Sequence, residues 1–285
     1  MKNVFVLGFL ICSLSATAQK KVTFRVAFHP NKIYKLTTTS SSSSTMDFSG
    51  DEEIINSIKQ SGTILPMKIE SINTMSSVTK TGNRIADGTI PATITFGKTM
   101  TTYTTNGREQ IQENPISGML IEGSYDQQGK LRVDTLISDR VNDELRQMFK
   151  SFLEKFQQAI QFPEKPMQIG DSFEQQVPME LPIFGAGSVS MIITTNYKLK
   201  EITNGKAVFD ILQKVSMNMN FGGGDQKLAN TAASGEGSGE SEFDLKEETI
   251  TRYDSKLSIK MKMNIDSLVI AAEIDMKTNQ IITVE

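Results

Sequence analysis

Three glycines spaced by single residues, Gly235, Gly237 and Gly239 in the stretch ASGEGSGESEFD, have the spacing of a loop that wraps a phosphate. Such a loop also needs a helix directly behind it, whose free N–H groups face the anion. Here Glu236, Glu240 and Glu242 surround the glycines, and Lys227 is the only basic residue between Gly222 and Leu245. Carboxylates so placed repel phosphate, and the residues that follow read as strand. The stretch is therefore read as a flexible, acidic loop leading into a hairpin, not as a nucleotide site.

Other chemistries fail on residue inventory. His29 is the only histidine, and it precedes Pro30 with no nucleophile motif anywhere in the chain. A Ser-His-Asp arrangement has nothing to build on, and His29 is read as a surface residue. One histidine and one cysteine, Cys12, fall short of the usual zinc ligand sets. No Asp-x-Asp-x-Asp-Gly calcium loop occurs either. Carboxylates are numerous enough for a glycosidase pair, but the chain has no tryptophan to hold a sugar face. No catalytic residue, metal site or cofactor is expected, and the chain is read as a non-enzyme.

Methionine is the remaining chemical signal, with 15 residues in all. The pairs Met217 and Met219, and Met261 and Met263, sit two apart and would project to one side of a strand, about 7 Å from each other. Thioethers in a row can hold Cu(I), yet neither histidine nor cysteine stands near to complete a site. Methionine is also a flexible filler of irregular apolar surfaces. Met191, Met217, Met219, Met261 and Met263, together with Phe149, Phe152 and Phe156, are the candidate lining of an apolar cavity.

The first residues, MKNVFVLGFLICSLSATAQK, have the layout of a secretory signal peptide. Lys2 supplies the positive start, Val4 to Leu14 form an apolar run too short to span a bilayer, and Ala16-Thr17-Ala18 offers the cleavage site. Residues 1–18 are read as removed, with the mature chain starting at Gln19. A lipid-anchored Cys12 is the rival reading, disfavoured by Ile11 where that processing wants a small residue. Cleavage would remove the only cysteine and make the formal net charge of −3 one unit more negative. That charge attracts neither nucleic acid nor anionic lipid. No later apolar run approaches a membrane span, so a soluble periplasmic or extracellular protein is expected.

Periodicity of two dominates the mature chain. Val22, Phe24, Val26 and Phe28 alternate as a half-buried strand, and YKLTTTSSSSSTMDF reads as a solvated strand fading into a loop. Ile54, Ile55 and Ile58 have helical spacing over a short stretch. Met191 and Ile193, then Phe209 to Phe221, then Leu257 to Ile265, alternate apolar with polar residues. Asn106-Gly107, Gln128-Gly129 and Asn204-Gly205 mark hairpin turns. One segment differs: Val141, Leu145, Met148, Phe149, Phe152, Phe156 and Ile160 form a helical stripe, capped by Ser138 or Asp139 and ended by Pro163. Its mixed charges fit packing on a sheet better than lying on a membrane.

These elements predict a mainly β fold: a curved antiparallel sheet with one long helix on its concave face. A single domain over 19–285 is expected, with β-halves at 19–137 and 163–285 joined by the helix at 138–162. The segment FPEKPMQIGDSFEQQVPMELPI, with Pro163, Lys165, Pro166, Gly170, Asp171 and Phe173, resembles a motif of exported β-rich proteins of Bacteroidota. The layout also resembles lipoprotein-carrier and lipid-transporter folds, in which a curved sheet encloses an apolar cavity. The resemblance implies an exported envelope protein and assigns no activity. The triplets Asp134-Thr135-Leu136 and Asp266-Ser267-Leu268 resemble an O-glycosylation signal of such proteins, making Thr135 and Ser267 candidate modification sites. The leading expectation is binding of a hydrophobic or amphipathic small molecule. The alternative is a structural or protein-interaction module of the envelope.

Overall fold

The computed structural model describes residues 21–156, 161–183, 187–220, 231–265 and 267–285. The expected signal peptide lies outside them. The first half of the chain forms β1 (Ile33–Gly50), α1 (Glu52–Gln60), β2 (Met67–Thr81), β3 (Ile90–Phe96), β4 (Met100–Thr105), β5 (Arg108–Glu113), β6 (Leu120–Tyr125) and β7 (Leu131–Ile137). After α2 (Asp143–Phe156) come β8 (Ser172–Ile183), β9 (Gly187–Thr203), β10 (Lys206–Asn220), β11 (Thr231–Asp244), β12 (Thr249–Ile265) and β13 (Leu268–Val284).

The 13 strands form one antiparallel sheet in the order β7-β6-β3-β2-β1-β13-β12-β11-β10-β9-β8, with β4 and β5 branching from β2. First and last strands meet at the centre, Tyr34 opposite Val284 and Gly50 opposite Leu268. Each half of the chain meanders outward from that seam. The outermost strands of this path, β7 and β8, do not pair with each other, so the sheet is open.

Three local expectations are corrected. Residues 232–244 are not a loop but most of β11, paired on both sides along its length; residues 222–230 lie outside the description. The Thr/Ser-rich run does not fade into a loop either. Flanked by β13 and β2, it continues as a central strand to Gly50. Residues 21–30 alternate as read, yet form no ladder beyond an isolated bridge between Val22 and Met167. Their alternation serves packing instead of pairing.

The helix starts later than expected. Asn142, not Ser138 or Asp139, is its cap, its Oδ1 accepting from Leu145 N at 2.9 Å. Ser138 instead holds the preceding turn by accepting from Arg140 N, while Val141 is spent on the core at 5 % exposure. Residues 157–160 of the expected helix lie outside the description. α2 lies against the sheet only at its β7 end, where Leu145, Phe149 and Leu153 cover Ile121, Leu131 and Val133.

The curvature can be read at one peptide group. Ala27 N donates to Glu248 O in the β11–β12 turn at 2.9 Å. The carbonyl of the same peptide, Val26 O, lies so close to the β6–β7 turn that a Cβ on Gly129 would stand 2.8 Å from it. In a flat sheet these turns would be about 29 Å apart, six strand spacings. The sheet therefore curls strongly at this end, and residues 21–30 plug its base. Phe24 packs with Phe162, Phe209 and Phe243 at ring separations of 5.1–5.6 Å, and Phe28 stacks on Tyr125 at 3.6 Å. Both clusters lie on one face, which is the concave one.

Candidate functional site

Register converts alternation into a surface. Across the eight strands β8 to β13, β1 and β2, paired residues place one set of positions on the concave face: odd numbers in β10, β11, β12 and β2, even numbers in β13 and β1. None of the concave positions of these eight strands is Asp, Glu, Lys or Arg. The convex positions carry all the charges, some of them in cross-strand ion pairs. Lys200 binds Glu240 at 3.0 Å and Asp210 at 3.2 Å, and Arg252 reaches Glu240 at 2.6 Å. These partners raise the Lys200 pKa, the Glu240 hydrogen bond most. Glu242 is held below the usual carboxylate range by Lys206 and Thr251.

One row of the concave face is unusual. Reading across the pairings, Met179 opposes Met191, Met191 opposes Met217, Met217 opposes Ala233, and Ala233 opposes Met261. Met261 then opposes Ala272, Ala272 opposes Met46, and Met46 opposes Met67. Eight strands thus contribute six methionines and two alanines to one continuous line. Met46, Met67, Met191, Met217 and Met261 are half-buried, and the two alanines are buried. The adjacent row, Val177-Ile193-Val215-Gly235-Ile259-Ile274, is equally apolar.

The β11 glycines answer to this packing. A Cβ at Gly235 would meet Ser258 O at 2.7 Å and Ile259 Cγ1 at 2.8 Å, and one at Gly237 would meet Lys256 O at 2.6 Å. At Gly239 it would collide with Asp254 O. Side chains there would force β11 and β12 apart, so glycine lets the two strands approach closely and lets Ile259 and Leu257 lean over the vacant positions.

The residues singled out from sequence fall into separate groups. Met191, Met217 and Met261 belong to the methionine row. Met263 stands one row further from the base, opposite Ile270, which in turn opposes Phe48. Met219 pairs by register with Val189 and Thr231. Phe149 is not with them: it packs at the β6–β7 corner. Phe152 and Phe156 lie on α2, with side chains outside the description. Met46, Met67 and Met179 escaped sequence reading because none has a second methionine two positions away in its strand; only pairing brings them into the row. Thr135 is exposed on β7, and Ser267 is exposed beside α1, its carbonyl accepting from Asp51 N.

Among the described residues no cluster of three or more His, Cys, Asp or Glu side chains could hold a metal. His29 Nε2 lies 3.6 Å from Glu248 Oε2 at the base, far in the fold from the methionine row. Burial raises the pKa values of Tyr34, Tyr125 and Tyr197, so these phenols stay protonated and supply no base. Two open depressions of about 760 and 740 Å³ have mostly convex-face residues in their lining, chiefly Ser, Lys and Glu, but the first also takes in concave-face Ser42, Ser71, Leu257 and Met276. Charges of both signs alternate there, so neither depression presents a field that would select a charged ligand.

No family model matches the chain, and no curated protein matches it. Among solved structures, the translocator domain of the autotransporter NalP from Neisseria meningitidis is 8 % identical, with 88 % of each chain covered and a TM-score of 0.22. OccK5 (OpdH) of Pseudomonas aeruginosa is 7 % identical over 87 % of this chain and 98 % of that one, with a TM-score of 0.25. Likenesses at this level carry no weight on fold or function. No helix among the described residues is long and apolar enough to cross a membrane.

Proposed function

We propose that this chain is an exported envelope protein that binds a hydrophobic or amphipathic small molecule on its concave face. The observation that carries the reading is the uncharged methionine row spanning eight strands. Half-buried thioethers adapt to many apolar shapes, and half-exposed apolar rows gain about 25 cal/mol per Å² when a ligand covers them. Export rests on the layout of residues 1–18.

Native mass spectrometry of the mature protein from its own producing organism tests the reading. A discrete extra mass that disappears on denaturation is expected. Equal masses in both states, together with no uptake of an added long-chain amphiphile, would sink it. A mass excess that survives denaturation would mark covalent modification, with Thr135 and Ser267 to be mapped first.

A second reading, a protein-interaction module, is favoured by Ile72 and Ile111 on the convex face. They are 56 % and 62 % exposed and flank Thr102 on neighbouring strands. Such a module would show a concentration-dependent complex with an envelope protein that Ile72→Ser and Ile111→Ser abolish.

A further inference from the structure

The concave face is divided from side to side as well as from base to open end. On β9 to β13 one middle row is apolar, Ile193, Val215, Gly235, Ile259 and Ile274; in the next, Leu257 and Met276 are apolar on β12 and β13, while Thr195 and Gln213 stand on β9 and β10. Crossing the seam onto β1 and β2, the same rows turn to hydroxyls and an amide. Ile274 opposes Ser44, Met276 opposes Ser42, and Thr278 opposes Ser40. Ser42 in turn opposes Ser71, and Ser40 opposes Asn73. The Thr/Ser-rich run of β1 thus gives every second side chain to the trough.

This polar wall is only partly satisfied from within. Ser42 Oγ and Ser71 Oγ bond each other at 2.8 Å, and Ser44 Oγ reaches Ile69 O at a long 3.4 Å. Asn73 Oδ1 is shielded from solvent and has no hydrogen-bond partner. A shielded acceptor without a donor costs free energy unless something supplies the donor. No cation stands on this face of the eight strands to meet an anionic group, and no anion to meet a cationic one. A charged headgroup placed here would be desolvated and unpaired.

We infer that the ligand is an uncharged amphiphile, with its hydrocarbon chain against the β9–β13 wall and a hydroxyl- or amide-bearing head against Ser40, Ser42, Ser71 and Asn73. The inference rests on the concave-face binding proposed above and narrows it to one ligand class. The head exchanges hydrogen bonds with the serine hydroxyls and, once the Asn73 amide turns toward it, donates to Asn73 Oδ1. The apolar wall, five strands wide, extends about 19 Å along the curve, which accommodates a long acyl chain.

Three probes that share one chain decide it: monooleoylglycerol, methyl oleate and oleate, titrated into the mature protein by calorimetry. Monooleoylglycerol should bind about tenfold more tightly than methyl oleate, the scale of one or two hydrogen bonds, and oleate should be weakest. Asn73→Ala should remove most of that advantage while leaving methyl oleate affinity unchanged. Wild-type protein alone already separates the outcomes, so a poorly folding variant does not block the test. Oleate binding most tightly, or all three binding equally, would overturn the headgroup assignment and leave concave-face binding standing. Binding by none of the three would overturn both.

Discussion

The base and the open end of the concave face are built from the same strands but solve opposite problems. At the base, residues 21–30 and Phe162 seal the trough: Phe24, Leu199, Phe209 and Phe243 are at most 4 % exposed, and the rings of Phe209 and Phe243 meet that of Phe24 edge-on. Toward the open end the same alternating strands present methionines that remain half-buried, and no described element packs over them. Stability is concentrated where aromatic rings meet, while adaptable surface is concentrated where thioethers line up. A face that is uncharged across its eight long strands is thus divided into sealed and open regions by the path of a ten-residue segment.

The comparison breaks first at Phe24. Replacing it with alanine should cost about 3–5 kcal/mol, read as a lowered urea midpoint, because three neighbouring rings lose their partner at once. An effect below 1 kcal/mol would mean that the base is not the stabilising region. Next comes the close approach of β11 and β12. Gly239→Val forces a side chain into the β12 backbone and should cost about 2–3 kcal/mol; an unchanged melting temperature would deny that the close approach is needed.

The methionine row should behave in the reverse way. Met261→Ala removes a half-exposed side chain and should cost about 1 kcal/mol or less, yet weaken binding of a long-chain amphiphile about tenfold. A large stability loss with unchanged binding would reassign the row to the core.

The smallest effect is electrostatic and belongs to the convex face. The Glu242 pKa is depressed by Lys206 and Thr251, and that of Glu247 by Lys32. For a depressed acid the stabilisation is present above its unfolded pKa and is lost as pH falls through the folded value. Stability should therefore decline from about pH 5 to about pH 3, and Glu242→Gln should flatten that decline slightly. The two carboxylate side chains are 19 % and 17 % exposed but their lysine partners are more open, so solvent screening keeps the change within about 1 kcal/mol. A steeper decline in the variant would contradict the sign.

How much was legible beforehand varies by element. Alternation in Leu257 to Ile265 and in Phe209 to Met217 revealed strands and their apolar faces, because a period of two survives any tertiary context. The helix could be read from its stripe, but its start could not: Val141 fits the stripe yet serves the core outside the helix. Gly235, Gly237 and Gly239 misled toward a loop because glycine is the same signal in a turn and in a strand that a neighbour approaches closely. Phe149 misled toward the methionines because a helix stripe names an apolar face without naming what it covers.

Composition and periodicity alone determined that this chain is mainly β and that strands such as β10 and β12 are apolar on one side. Those properties depend on residue type and on neighbours two positions away. Pairing register and curvature were decided only by the tertiary structure. A one-residue slip in any strand would turn its methionines to the charged face, so the row through Met46, Met67, Met191, Met217 and Met261 exists only once every pairing is set. Likewise, the two turns that meet at the Val26–Ala27 peptide are distant along the sheet, and only its curvature brings them there.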